Sequence, residues 1–232
     1  MDSDEPRART RRLDALRGCA ALMVVAYHAN GLLAVPGGLR ANVLDDVRFN
    51  LDSGVELFFV LSGYLIALPF LRALVSGGEL PGIAAYGLRR AARILPAYWL
   101  VLTAALAMST HAPGATPTGL QLVPHVLLLH GLVPGEISRP LPIAWTLSVE
   151  MVFYILVPLA ALALARRRRH SIRSLAIGAL LVWAASAGAA FATAGLAPTA
   201  SWSLVVLRGA PGVLCQFCPG IIVALAHIAA QR

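Results

Sequence analysis

LDALRGCAALMVVAYH, residues 13–28, opens with charge at Asp14 and Arg17, turns apolar, and places His28 well along the apolar run. An apolar run of this kind with a basic segment before it predicts a membrane helix anchored at its start. Arg17 and His28 are eleven residues apart, three turns of an α-helix, so they share a face about 16 Å apart along the axis. A histidine at membrane depth is costly unless it is partnered, which makes His28 a functional candidate by default.

The rest of the chain agrees with a membrane reading. Of 232 residues, 58% are hydrophobic and only 13% charged, against about 25% charged in soluble domains. The apolar stretches are continuous and not alternating, which argues against a transmembrane barrel. The net charge of +8 comes from arginine, since the chain has no lysine. Those arginines cluster at the ends of apolar runs, so topology explains them and nucleic acid is not an expected partner. Cys19, Cys215 and Cys218 sit in or beside apolar runs and read as small packing residues, with no disulfide framework. Thr10-Arg11-Arg12 and Leu16-Arg17-Gly18-Cys19 resemble export signals, but the apolar run follows Cys19 where a lipobox has it before.

The expected fold is all-α: a polytopic transmembrane helical bundle of about six spans plus one re-entrant or interfacial segment. Residues 1–12 form a basic cytoplasmic tail, and 13–232 the membrane domain. The spans are expected at Leu13–Val35, Gly54–Val75, Ala91–Ser109, Ile143–Ala165, Ser174–Leu196 and Trp202–Ala230, with a Gly- and Arg-rich segment before the third. The last is interrupted by Pro211, Gly212, Pro219 and Gly220. Leu120–Leu132 is shorter than the ~20 residues a crossing needs and is the re-entrant piece. Arginines then fall mainly on one side, which puts both termini in the cytoplasm of a cell-membrane protein.

Several residues could carry chemistry. His28 suits a general base acting on a hydroxyl, or it could merely bond a backbone carbonyl. Glu150 lies about two turns into the fourth span with Thr146 and Tyr154 on its face, so it is either functional or a helix-end acid. Arg90 and Arg93, one turn apart, suit a phosphate or pyrophosphate, although membrane topology alone also predicts arginines there. Ser62-Gly63 suits close helix packing. His125 and His130 are five residues apart, roughly 140° around a helix and poorly spaced for one metal. No metal site is expected.

Four stretches in order, LDALRGCAALMVVAYH, GVELFFVLSGYLI, RRAARILPAYW and WTLSVEMVFYILVPL, together resemble the membrane-bound acyltransferase-3 family. The resemblance covers Leu13 to about Pro158. It implies transfer of an acyl group, often acetyl, from acyl-CoA to a hydroxyl, commonly on a carbohydrate or another glycosylated acceptor, with no tightly bound cofactor. His28 and Arg17 match the family's Arg-x10-His motif, Arg90 and Arg93 its Arg-x-x-Arg pair, and Trp145 and Glu150 its Trp-x4-Glu element. The resemblance makes His28, Arg17 and Glu150 catalytic, Arg90 and Arg93 donor-binding, and Trp145 with Ser62 substrate-binding. Family members have about ten spans, so this chain is expected to be a partial domain, with a partner chain as one source of further helices. The alternatives are a proton-coupled transporter using His28, Glu56 and Glu150, or an inactive acyltransferase-like protein.

Overall fold

The computed structural model describes residues 5–33, 50–109, 117–137, 140–167, 169–196 and 202–232. Residues 34–49, which include the end of the first expected span and most of the loop expected before the second, fall outside them. Among the described residues the chain is helical, with no strand. The helices are α1 (Glu5–Leu33), α2 (Ser53–Ser76), α3 (Ile83–Ser109), α4 (Leu122–Val126), α5 (Trp145–Leu164), α6 (Ile172–Leu196), α7 (Ser203–Leu207), α8 (Ala210–Val213) and α9 (Cys218–Ala230).

Five stretches among the described residues are long and apolar enough to cross a membrane: Asn50–Ser76, Ile83–Met108, Pro142–Leu164, Ile172–Leu196 and Ser203–Ala230. They match the second to sixth expected spans. The protein is a multi-pass helical membrane bundle. The third helix corrects the expectation, starting at Ile83 and not Ala91, so Arg89, Arg90 and Arg93 lie within it. Arginine has a high helix propensity, and the apolar run that marks the bilayer is simply shorter than the helix that carries it. The last span is broken as expected into α7, α8, a 3₁₀ turn at Leu214–Phe217 and α9, with prolines in the first turns of α8 and α9. Proline lacks the amide hydrogen and sits best at a helix start, which is why the breaks fall there.

The chain divides into two compact units, Met1–Ser62 and Gly63–Arg232. In the first, α1 packs on the turn Asn50–Asp52 and the start of α2. Gly54 makes that approach possible, because a Cβ there would meet the Ala20 carbonyl oxygen at 2.8 Å.

In the second unit, the buried residues Ile66, Phe70, Val149, Phe217 and Leu225 form part of the core. Phe153 of α5 stacks on Phe217 with ring centroids 4.0 Å apart. Gly63 lies directly against the Phe217 carbonyl, so the Ser62-Gly63 pair does mark a close contact. At the carboxyl end of α2, Arg232 donates to the Val75 carbonyl (2.9 Å) and the His170 amide to the Leu74 carbonyl (3.0 Å). The α5–α6 turn and Arg232 therefore meet at one end of this unit.

Candidate active site

The first unit carries Arg17, His28 and Ser62. Helix α1 is continuous through the whole Arg17–His28 interval, so the three-turn spacing holds and the two side chains are too far apart to touch. Arg17 instead pairs with Asp14 at 3.4 Å, one turn earlier. His28 is exposed, and its Nδ1–H donates to the Val24 carbonyl at 2.8 Å. The acceptor is a carbonyl, so Nδ1 must carry the proton. In the neutral ring the lone pair then sits on Nε2. The two sequence readings of His28, backbone-bonded and basic, are thus compatible: the bond uses one nitrogen and fixes the tautomer of the other. Tyr27 meets the imidazole edge-on, with centroids 5.3 Å apart. Ser62 is half-buried on α2, and Glu56 is exposed there.

The second unit carries Arg90, Arg93, Trp145 and Glu150, and it brings Arg90 and Glu150 into one cluster. The Arg90 guanidinium lies over two rings, 5.8 Å from the centroid of Tyr86 and 5.6 Å from that of Tyr154. A cation over an aromatic face is attracted by the ring quadrupole, which favours holding the guanidinium at this position. Tyr154 donates its hydroxyl to Glu150 Oε2 at 2.8 Å, one helical turn away. Tyr86 donates to the Tyr154 carbonyl at 3.3 Å, which ties α3 to α5 beside the arginine. Arg93 is exposed one turn further along α3. Trp145 begins α5 and is half-buried.

Tyr154 was visible in the sequence as the i+4 neighbour of Glu150. Tyr86 was not singled out, although its position one turn before Arg90 was the available signal.

A third group lies in the segment between α3 and α5. This segment does not span: it is α4, five residues long, followed by 3₁₀ turns at His130–Leu132 and Pro142–Ala144, as the re-entrant or interfacial reading expects. His125 Nε2 and Glu136 Oε2 are 3.1 Å apart, and both residues are buried. His130 stacks on His125, with centroids 5.0 Å apart and planes 19° from parallel. The 140° separation expected on a helix does not apply, because α4 ends at Val126 and the turn brings the rings together. Among the described residues no group of three or more His, Cys, Asp or Glu is arranged to hold a metal ion.

Burial, with a smaller contribution from His125, pushes the His130 pKa down to about 4, and Glu136 opposes this weakly. In the unfolded chain it titrates at the ordinary value near 6.5. Unfolded chains therefore bind more protons between these values, and stability rises with pH there. His130's contribution is complete above pH 6.5 and is lost as pH falls towards 4. The expected result is an apparent Tm in detergent that drops through this window, with a shallower slope in His130→Phe. Equal slopes in the two proteins would contradict the assignment.

A sequence profile of the acyltransferase-3 domain matches residues 10–229. The chain belongs to acyltransferase family 3. Its relatives in the family include Nodulation protein 10 of Rhizobium leguminosarum bv. viciae, 25% identical over 73% of this chain and 49% of that protein. The exopolysaccharide production protein ExoZ of Rhizobium meliloti (strain 1021) is 34% identical over 44% of this chain and 32% of its own length. A Bacillus subtilis (strain 168) protein provisionally named peptidoglycan O-acetyltransferase YrhL is 30% identical over 63% of this chain and 23% of that protein. The chain thus spans half or less of the length of these relatives. No solved structure matches it.

Proposed function

We propose that this family member is an integral membrane O-acyltransferase that moves an acyl group, acetyl in the simplest case, from acyl-CoA to a carbohydrate or glycoside hydroxyl. The observation that carries the reading is the His28 ring, whose Nδ1–H is tied to its own helix and whose Nε2 holds the lone pair. The names of relatives, an exopolysaccharide production protein and a provisional peptidoglycan O-acetyltransferase, support a carbohydrate acceptor.

In this mechanism Nε2 takes the acceptor O–H proton as the oxygen attacks the thioester carbonyl carbon. The C–S bond then breaks, and the departing thiolate receives the proton back from the imidazolium. The products are an ester and CoA with its thiol restored. No external proton, oxidant or nucleophilic serine is needed, and the reading calls for no tightly bound cofactor. Arg17, held by Asp14, contributes positive charge on the His28 face. Arg90 and Arg93 take phosphates of the donor, with Arg90 kept planar between Tyr86 and Tyr154. Glu150 anchors Tyr154, and Trp145 and Ser62, each on its own unit, are the residues assigned to substrate binding. The distribution of arginines supports a cell-membrane protein with both termini cytoplasmic, the side from which CoA arrives.

The Arg90 part of this reading has a direct test. Arg90→Lys keeps the charge but loses the planar fork and the stacking on two rings. Its Kd for CoA, measured by calorimetric titration in detergent, is expected to rise about tenfold, equivalent to about 1.4 kcal/mol. An unchanged Kd would remove Arg90 from the donor site.

A further inference from the structure

The proposed mechanism leaves His130, a buried polar side chain of the second unit, unused. His130 is 1% exposed, and among the described residues neither of its ring nitrogens has a hydrogen-bond partner. An unpaired buried polar group is destabilising, so a folded chain that keeps one invites an explanation in function. The surroundings are built, not incidental. His125 stacks on the His130 ring and is held through its own Nε2 by Glu136. Between the two histidines, Leu128 adopts φ 57°, a left-handed backbone that non-glycine residues rarely take outside functional or strongly constrained positions. The segment is also anchored to both neighbouring helices. Tyr98 of α3 donates to the His125 carbonyl at 2.7 Å, and the Gly131 amide donates to Ser148 Oγ of α5 at 3.1 Å.

We propose that His130 is the polar contact of a buried binding site, within the second unit, for an uncharged hydroxyl distinct from the one deprotonated at His28. A neutral imidazole offers one N–H donor and one acceptor lone pair, the same pairing that an alcohol presents in return. An anion would require the imidazolium form, and burial beside a second imidazole opposes that charge. A cation would need the carboxylate, and Glu136 is already engaged by His125. The ligand class left is a polyol or sugar hydroxyl. Val126, the last residue of α4, and Leu127 after it are exposed, so the chain beside the histidine pair reaches the surface of the unit.

The test is thiol labelling of the full chain in detergent, read peptide by peptide by mass spectrometry. Uncharged 2-hydroxyethyl methanethiosulfonate is compared with its trimethylammonium analogue on His130→Cys. The introduced thiol is expected to react at least tenfold faster with the hydroxyethyl reagent. It should also outpace a thiol introduced at Val149, a core position that is equally buried. No reaction at 130 with either reagent, while exposed Leu127→Cys reacts, overturns the proposal. Equal rates, or a preference for the cation, overturn it too. Should His130→Cys fail to fold, the unmutated chain decides the matter through diethyl pyrocarbonate. Carbethoxylation of His130 supports the site, and its absence while exposed His28 is modified sinks it. These readouts need no donor, so a chain that fails to bind CoA would remove the acyl-transfer reading and leave the hydroxyl site to be judged on the labelling.

Discussion

His28→Ala is expected to lower acetyl-CoA turnover at least a hundredfold while the Kd for CoA stays within about twofold. A positioned general base typically contributes 10²- to 10⁴-fold to rate, and the alanine side chain leaves nothing to take the acceptor proton. The bond from Nδ1 to the Val24 carbonyl joins residues already linked within α1, so its loss removes no contact between helices. The split between rate and affinity is what separates a base from a packing residue. It is read from CoA release by chromatography beside a binding titration. A variant that turns over like the unmutated chain would exclude His28 as the base.

The second large effect is structural. Gly63→Val places a branched side chain where even a Cβ would run into the Phe217 carbonyl. Backbone on the far side cannot rotate away as a flexible side chain could, and Phe217 is itself stacked on Phe153. Overpacking of this kind costs about 3 kcal/mol or more. The expected outcome is an apparent Tm lowered by about 10 °C or more, or loss of the monodisperse peak on gel filtration in detergent. Gly54→Ala should be milder, because its neighbours include the Met23 side chain as well as backbone. A Gly63→Val protein as stable as the parent would contradict the packing described here.

Much of the architecture was legible because membrane helices declare themselves by length and apolarity. The second, fourth, fifth and sixth expected spans lie within two residues or so of the observed helices at most ends. The third failed at its start for a physical reason: hydropathy marks where hydrocarbon begins, whereas the helix carries on past Ala91 through Arg90 and Arg89 to Ile83. Glycine at 63 was legible as a close contact, but its partner, Phe217, lies 154 residues away and no local pattern announces it.

The candidate site divides along similar lines. The His28 and Arg17 spacing is a property of one helix and could be read directly. The cluster of Tyr86, Arg90, Tyr154 and Glu150 joins two helices, and only its halves, each at i, i+4 spacing, were accessible beforehand. His125, His130 and Glu136 were the hardest to foresee. Helical geometry sends the two imidazoles apart, and it takes a turn with a left-handed leucine to stack them.

The account rests most heavily on acyl transfer from a CoA thioester, and the direct measurement is single-turnover consumption of acetyl-CoA by the folded chain in detergent micelles with a carbohydrate acceptor mixture. CoA appearance and acetyl ester formation are followed together. The account predicts both in equal amounts, dependent on His28 and weakened by Arg90→Lys. A monodisperse, helical chain that neither binds acetyl-CoA nor releases CoA would contradict it.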